Sequence, residues 1–354
     1  MNQNKTTKSL DYFWKKKTIL SFIAVIFIVI IHNSATNQYT LAPDFFTQTT
    51  NGLHTFFAYI IGSVAVPFFF FVSGIAFFRN YQQNLYFKKL QSRVKTILIP
   101  YLIWNIIGLL FAIIYTYTPL SSYISGRELF DPSVKNIFEG IFLYKYNFQF
   151  WFLYDLIIYI LLTPVIYLCI NHKLIGIVTC IFTLFLPLIT PSFLGVDSNF
   201  TVFYIIGCFA GKHLLSLVTK PSTKSIRLTS LVLTIFLLVI KTLSVYNIIS
   251  LPVIVSQILL LLLLISTYFS TDLFITKIKT SPRFTKEFFP LYTLHTYFIA
   301  IIIKLIYLIN SNSSIMLFLN EISSTVITIC IIVTISQLLH QKLPKIHAIL
   351  FGSR

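Results

Sequence analysis

Long apolar segments alternate with short polar loops along almost the whole chain, and this pattern predicts membrane-spanning helices. A window of about 20 apolar residues is long enough to cross the hydrocarbon core of a bilayer as a helix. The approximate limits of ten such windows are 18–35, 55–78, 97–117, 149–170, 174–190, 200–218, 228–246, 251–270, 288–309 and 315–339. We therefore predict an all-α integral membrane protein, a bundle of about ten transmembrane helices in one membrane-embedded domain over residues 1–354.

Composition agrees with a membrane location. The chain is 56% hydrophobic and only 10% charged, with a mean hydropathy of +0.83. A soluble domain of this size could not hide so much apolar surface from water. The net charge of +17 does not indicate nucleic-acid binding, because the basic residues lie in short loops between apolar segments. The four cysteines lie within apolar segments without metal-ligand spacing, which favours packing roles.

The basic residues also predict the orientation of the bundle. Most of the 27 lysines and arginines lie in the N-terminal segment, in the loops after the second, sixth and eighth spans, and in the C-terminal tail. The opposite loops hold only Arg127, Lys135, Lys145 and Lys241. By the positive-inside rule both termini are cytoplasmic. His32 then lies near the outer end of the first helix.

Three of the ionisable residues within predicted spans are candidates for a site, because an unpaired charge is costly there and a polar interior or a wet cavity is the usual environment. His32 follows eight apolar residues and is either an interfacial histidine or a catalytic group. Asp155 lies about one turn inside the fourth span and either forms a structural pair or orients a histidine. His295 shares a helix face with Tyr292 three residues earlier, which indicates either a polar pair in the core or a site.

Two further stretches flank the second loop. In VPFFFFVSGIAFF, Pro67 can bend a helix, and Ser73 and Gly74 allow close approach of a neighbouring helix. Basic residues then precede the third span in YFKKLQSRVKTILIPYLIW: Lys88, Lys89, Arg93 and Lys95. Such a cluster binds either anionic lipid headgroups or the phosphates of a nucleotide-bearing donor such as coenzyme A.

The longest predicted outer loop runs from about residue 118 to 148. It contains a possible short amphipathic helix over 133–143 and the acidic residues Glu128, Asp131 and Glu139. The loop is either an ordinary solvated connection or a polar rim that receives a polar substrate.

Taken together, these stretches resemble the acyltransferase-3 family of integral-membrane acyltransferases. The resemblance covers about residues 14–340 and rests on six elements in the family's order. These are the first-helix histidine, VPFFFFVSG, the basic residues before ILIPYLIW, FWFL, FYIIGCFAG and LYTLH. We expect no additional extracellular esterase-like domain of the kind that some members carry.

The resemblance implies O-acyl transfer, often of acetyl, onto hydroxyls of surface polysaccharides, peptidoglycan or antibiotics. It implies acyl-CoA as the cytoplasmic donor substrate, no bound cofactor or metal, and a glycan or lipid-linked sugar as acceptor. Membrane lipids are the expected surroundings, in the cytoplasmic membrane of a bacterium, and no nucleic-acid partner is expected. His32 matches the family's essential first-helix histidine.

One position departs from the family's pattern. An arginine commonly lies eleven residues before the histidine, about three turns lower on the same helix face, and Ser21 occupies that position here. Lys17, one further turn down, is a candidate substitute for binding the donor.

The resulting interpretation is that His32 acts as a general base toward the acceptor hydroxyl. Lys17, Lys88, Lys89, Arg93 and Lys95 would hold the phosphates of the donor, and Asp155 and His295 would assist at the catalytic site. Direct transfer and a covalent acyl-enzyme on Ser34, His32 or a tyrosine both stay open. So do two other functions, a polysaccharide exporter or flippase and a regulatory membrane protein.

Overall fold

The computed structural model describes residues 2–37, 39, 41–119, 128–309 and 313–352, so Arg127 lies outside the described residues. Helices dominate the described chain. The described residues form two compact units, one within Met1–Tyr81, Leu168–Pro191 and Ser198–Ile335, and the other within Gln82–Tyr167, Ser192–Asp197 and Ser336–Arg354. The prediction of a single membrane domain stays a prediction.

The first unit contains most of the long helices. In the part of the chain before Ser192, its elements are α1 (Asn2–Ile31), α2 (Phe45–Thr55), α3 (Ala65–Phe78) and α9 (Lys173–Ile189). After Asp197 the first unit continues with α10 (Ser198–His213), α11 (Leu215–Thr219), α12 (Lys224–Val245), α13 (Val253–Ser270), α14 (Asp272–Ile275), α15 (Phe288–Tyr307) and most of α16 (Ser314–Lys342).

The second unit contains shorter elements. They are α4 (Tyr86–Arg93), α5 (Ile99–Thr116), α6 (Val134–Phe142), α7 (Trp151–Leu161), the first part of α8 (Thr163–Asn171), β1 (Ser192–Phe193), β2 (Val196–Asp197) and α17 (Pro344–Phe351). The two strands pair antiparallel, with Ser192 opposite Asp197. Their loop residues Leu194 and Gly195 both have positive φ, the backbone of a tight hairpin turn that matches strand twist.

Each of the ten predicted spans coincides with helix in the structure. Within the described residues, seven helical segments are long and apolar enough to cross a membrane, or eight if one bent pair counts as a single span. The chain is therefore a helical, multi-pass membrane protein. The predicted spans 174–190 and 200–218 correspond to helices of 17 and 16 residues, near the lower limit for crossing a bilayer. The number ten and the cytoplasmic termini stay predictions.

The second span begins about ten residues earlier than its apolar window. Asp44 caps α2 by accepting a hydrogen bond from the backbone N of Thr47 at 2.8 Å, which satisfies a donor that has no partner within the helix. Ser314 also donates to the Asp44 carboxylate. The hydrogen bonds from Ser314 and Thr47 hold the pKa of Asp44 below its ordinary value. Capping thus extends the helix at its N-terminal end through a polar sequence that hydropathy alone leaves outside the span.

The fourth predicted span is bent. The helical segments Phe148–Leu161 and Thr163–Asn171 meet at an angle of 65°. Pro164 lies in the first turn of the second segment, where its missing N–H costs nothing, but it cannot continue the hydrogen-bond ladder of the preceding helix. The apolar window is therefore continuous in sequence and broken in structure.

Helices α3 and α10 approach each other through glycines. A Cβ atom on Gly74 would lie 2.5 Å from the carbonyl oxygen of Tyr204, and one on Gly207 would lie 2.2 Å from that of Phe71. Gly211, four residues after Gly207, would place a Cβ 2.8 Å from the carbonyl oxygen of Ile75. Small residues at such spacing allow membrane helices to pack backbone against backbone. The predicted close approach at Gly74 is confirmed.

The amphipathic helix predicted over 133–143 is confirmed as α6. Ser133 caps it by accepting a hydrogen bond from the backbone N of Asn136 at 3.2 Å. Lys145 lies 3.2 Å from the carboxylate of Glu128 and 3.3 Å from that of Glu139. Part of the acidic charge of this loop is thus paired locally.

Candidate functional site

His32 directly follows the last residue of α1. Its backbone N still donates to the carbonyl oxygen of Ile28 at 3.2 Å, so the histidine continues the helical path. Val25 and Val29, on the preceding two turns, are fully buried, whereas the His32 side chain is only partly buried. The apolar helix therefore holds the imidazole at a defined position at its end.

Asn33 fixes the end of α1 against α16. Its side-chain amide donates to the backbone oxygen of Glu321 at 2.9 Å, to the hydroxyl of Ser324 at 3.0 Å and to that of Thr325 at 2.9 Å. Its amide oxygen accepts from the backbone N of Ala35 at 3.0 Å. A buried amide with this many partners is costly to replace. The residue next to His32 is therefore a rigid anchor.

His295 lies beside His32 within the same unit. The two ring centroids are 5.2 Å apart with an interplanar angle of 35°. His295 is fully buried, and its Nδ1 is 2.8 Å from the carbonyl oxygen of Tyr292. A carbonyl oxygen only accepts, so Nδ1 is assigned the proton and Nε2 the lone pair of the neutral ring. Nε2 is buried and has no hydrogen-bond partner among the described residues.

Two neighbouring imidazoles with these properties suit proton transfer. A neutral imidazole accepts a proton at one nitrogen and returns it later without a change of covalent structure. The bond to Tyr292 fixes the tautomer of His295, and the Asn33 anchor fixes the chain beside His32. The site can therefore take a proton from a hydroxyl, the first step of many group-transfer reactions.

Ser21 and Lys17 lie about three and four turns before His32 on α1. Ser21 is fully buried, and its hydroxyl has no hydrogen-bond partner among the described residues. The ammonium group of Lys17 lies 5.0 Å from the ring centre of Phe288 and 5.7 Å from that of Trp14. The guanidinium of Arg79 lies 4.5 Å from the same Trp14 ring. The positively charged groups of Lys17 and Arg79 thus both lie near the Trp14 ring, about two turns before Ser21 in α1.

Asp155 lies in the second unit and is almost fully buried. Its carboxylate accepts a hydrogen bond of 3.3 Å from the backbone N of Asp197 in β2. This bond ties α7 to the hairpin and gives the carboxylate a structural function. The predicted role of Asp155 in orienting a histidine stays a prediction.

The four basic residues before the third span also belong to the second unit. Lys88, Lys89 and Arg93 lie on α4, and Lys95 lies on the π-helical turn Val94–Leu98 that follows. Lys88 and Lys95 are exposed, and the other two are partly buried. Their binding of a donor's phosphates stays a prediction.

One buried ion pair and one histidine–carboxylate contact of the first unit are absent from the sequence-based site. Lys16 lies 2.6 Å from the carboxylate of Asp272, with both side chains almost fully buried, and 3.5 Å from the centre of the Tyr268 ring. The Nδ1 atom of His54 lies 2.7 Å from the carboxylate of Glu321. Asp272 and Glu321 lie at or within apolar helices, and that placement alone is a signal for a buried partner.

The described residues contain no group of three or more histidine, cysteine or acidic side chains that could hold a metal ion. The cysteines there are free.

Comparison with known proteins gives one clear match. A family model described as an acyltransferase domain, that of the acyltransferase-3 family, matches residues 19–340. The match begins in α1 and ends near the C-terminal end of α16, so it includes both His32 and His295. No curated protein and no solved structure matches the chain with significant similarity.

Proposed function

Because the chain belongs to the acyltransferase-3 family, we propose that it is a membrane O-acyltransferase using cytoplasmic acyl-CoA. The acyl group, expected to be acetyl, moves to a hydroxyl of a surface polysaccharide or its lipid-linked precursor. The observation that carries this proposal is the His32–His295 pair at the end of α1, with ring centroids 5.2 Å apart. The protein acts in the cytoplasmic membrane of a bacterium, with both termini cytoplasmic.

The reaction is a transfer from a thioester to an alcohol. The neutral His32 imidazole takes the proton of the acceptor hydroxyl, and the oxygen attacks the carbonyl carbon of the thioester. The carbon–sulfur bond then breaks, the thiolate of coenzyme A leaves, and the proton passes from the imidazolium to the sulfur. The products are the O-acyl ester and free coenzyme A. His295 supports this step as the neighbouring imidazole with an unprotonated, buried Nε2.

The direct test is transfer by the purified protein in lipid vesicles. Radiolabelled acetyl-CoA is supplied with a lipid-linked glycan acceptor, and labelled glycan and free coenzyme A thiol are both measured. Appearance of both products in equal amounts supports transfer to the acceptor. Thiol release without labelled acceptor would indicate hydrolysis and would contradict the proposed acceptor class.

Asn33→Ala is expected to slow transfer by about 10- to 100-fold, because about 1–3 kcal/mol is typical for the loss of buried hydrogen bonds that position a group. The effect should fall on kcat more than on KM, since Asn33 holds the chain beside His32 and is not placed against substrate. The measurement is steady-state transfer by purified protein.

The matched control for Asn33 is Asn37→Ala, because Asn37 is exposed in the same short segment. Asn33→Asp keeps the acceptor oxygen and removes the amide donors, so it should be impaired like the alanine variant. Normal turnover in both Asn33 variants would exclude a positioning role. Thermal unfolding of each variant separates slow catalysis from loss of fold.

Lys17→Ala is expected to weaken donor binding several-fold while leaving the affinity for the acceptor unchanged. Lys17 is the basic residue of α1 nearest below Ser21, and its ammonium group lies over the Phe288 ring. The measurement is the KM for acetyl-CoA at saturating acceptor, beside Lys173→Ala as an exposed control. An unchanged KM for acetyl-CoA would show that Lys17 does not replace the missing arginine.

The alternative function is export of an exopolysaccharide without acyl transfer, and the observation that favours it is Ser21 in place of the arginine. An exporter changes the location of the glycan and leaves its chemical structure unchanged. Deletion of an exporter would trap unmodified polymer inside the cell, whereas deletion of an acyltransferase would leave exported polymer without its ester groups.

A further inference from the structure

A large cavity lies beside the N-terminal part of α1, on the predicted cytoplasmic side. Its volume is about 1010 Å³, at the upper end of the range of about 300–1,000 Å³ typical of ligand sites. The residues that line it come from α1 and from two loops of the same unit. They are Asp11, Tyr12, Trp14, Lys15, Thr18, Lys220, Pro221, Lys279, Thr280, Ser281 and Lys286.

The walls of this cavity are held by buried polar contacts. Asp272 accepts hydrogen bonds from the hydroxyl of Tyr12 and from both the backbone N and the hydroxyl of Ser222, at 2.8 and 2.7 Å. Ser222 directly follows the lining residues Lys220 and Pro221. One buried carboxylate therefore fixes the α1 wall and the neighbouring loop relative to each other.

The loop that carries the lining residue Lys279 is also held to α1 by a hydrogen bond. The ammonium group of Lys15 donates to the backbone oxygen of Ile278, next to the lining residue Lys279. The loop that carries Lys279 is thus anchored to the helix at the edge of the cavity. Because hydrogen bonds hold α1 and the two lining loops together, the cavity is organised before any ligand binds. This preorganisation lowers the free-energy cost of binding.

The charge of the lining is strongly positive. Four lysines face a single aspartate, and Thr18, Thr280 and Ser281 add hydroxyl donors. No described residue forms an ion pair with Lys220, Lys279 or Lys286. Ammonium groups and hydroxyls are suitable donors to phosphate oxygens. The ligand chemistry that fits is a phosphate ester with more than one charge.

Two of the five α1 residues that line the cavity, Trp14 and Thr18, lie on the face of α1 that carries His32. Trp14 is eighteen residues before His32, five full turns, and Thr18 is fourteen residues before it. At a rise of 1.5 Å per residue, Thr18 lies about 21 Å from His32 along the helix axis. Ser21, with its unpartnered buried hydroxyl, lies on the same face between them. A ligand with a phosphate-bearing head and a long linear arm could contact both ends.

We propose that this cavity holds the phosphate groups of the acyl-CoA donor, with Lys220, Lys279 and Lys286 as their principal partners. The inference rests on the proposed acyl transfer and assigns the phosphates to these lysines in place of Lys88, Lys89, Arg93 and Lys95. The pantetheine arm follows the α1 face toward His32. Anionic lipid headgroups share the phosphate chemistry, so the test has to separate the two sources.

The test measures binding of unacylated coenzyme A, which needs no turnover. Purified protein in phosphatidylcholine nanodiscs is titrated with coenzyme A by calorimetry. The double variant Lys279→Gln/Lys286→Gln is expected to bind at least about tenfold more weakly, because two charge-assisted contacts are lost. Lys277→Gln, exposed and outside the cavity lining, should bind like the wild type.

The possible outcomes distinguish a wrong assignment of the cavity from a wrong identity of the donor. If wild-type protein binds coenzyme A and the double variant binds it equally well, the cavity assignment is overturned while the donor stands. Loss of binding in Lys88→Gln/Lys89→Gln alone would overturn it in the same way. If wild-type protein does not bind coenzyme A at all, the donor itself is wrong and the cavity assignment fails with it.

Two further measurements test the identity of the ligand. Dephospho-coenzyme A and pantetheine should bind progressively more weakly to the wild type, with the difference reduced in the double variant. Nanodiscs that contain phosphatidylglycerol test the lipid source. If the double variant loses only its preference for phosphatidylglycerol and keeps its affinity for coenzyme A, the cavity binds lipid headgroups and the proposal is contradicted.

Discussion

His32→Ala is expected to lose acyl transfer while the protein still inserts into the membrane and folds. A positioned general base contributes about 10²–10⁴-fold to such a reaction, so the remaining rate should be lower by at least about 100-fold. The His32 side chain lies at the end of α1 and is only partly buried. Its removal therefore leaves the buried contacts of Val25, Val29 and Asn33 in place.

Two controls make the His32 result specific. His172→Ala removes an exposed histidine and should leave transfer unchanged. His295→Ala removes the buried neighbour and should also reduce transfer, with some loss of stability because a fully buried ring is deleted. Near-normal transfer by His32→Ala, measured with labelled acetyl-CoA, would show that another group is the base.

Gly207→Ala is expected to be the most disruptive glycine-to-alanine substitution in the first unit. Its Cβ would lie 2.2 Å from the carbonyl oxygen of Phe71, and that oxygen belongs to a helix backbone and cannot rotate away. Helices α3 and α10 would have to separate at their closest point. Overpacking of this kind costs about 1–3 kcal/mol and occasionally more, so the yield of folded protein and its unfolding temperature should both fall.

Gly52→Ala is the matched control for Gly207→Ala. Gly52 also lies within a helix, but an added Cβ there would have no neighbouring atom within 4 Å. Since alanine is a better helix former than glycine by about 1 kcal/mol, this variant should be as stable as the wild type or slightly more stable. Equal unfolding temperatures for the two variants would contradict the close approach of α3 and α10.

Much of the helical architecture could be predicted from hydropathy, because each membrane helix must bury its own backbone hydrogen bonds. Each of the ten windows overlaps helix, although seven helical segments of the described residues, or eight with the bent pair, are long and apolar enough to cross a membrane. The glycine at position 74 indicated a helix contact. Hydropathy could not predict the bend at Pro164 or the N-terminal extension of α2 from Asp44. These features depend on single residues that fix or remove backbone hydrogen bonds.

The candidate site was predictable only in part. His32 and His295 each stood out as ionisable residues in apolar segments, but their proximity depends on how α1 and α15 pack. The same holds for Asn33, whose partners Glu321, Ser324 and Thr325 lie almost 300 residues away. Side-chain hydrogen bonds between distant segments leave no periodic signal in one sequence. Sequence spacing alone therefore could not reveal this anchor.

Mass spectrometry of surface glycans most directly tests whether this protein acylates a glycan. Polymer is compared from three strains, one with the wild-type protein, one with His32→Ala and one with the gene deleted. We expect an ester-linked acyl group on the wild-type glycan, and its absence from exported polymer in the other two strains. An unchanged acylation pattern in all three, with polymer retained inside the deletion strain, would contradict acyl transfer and indicate an exporter.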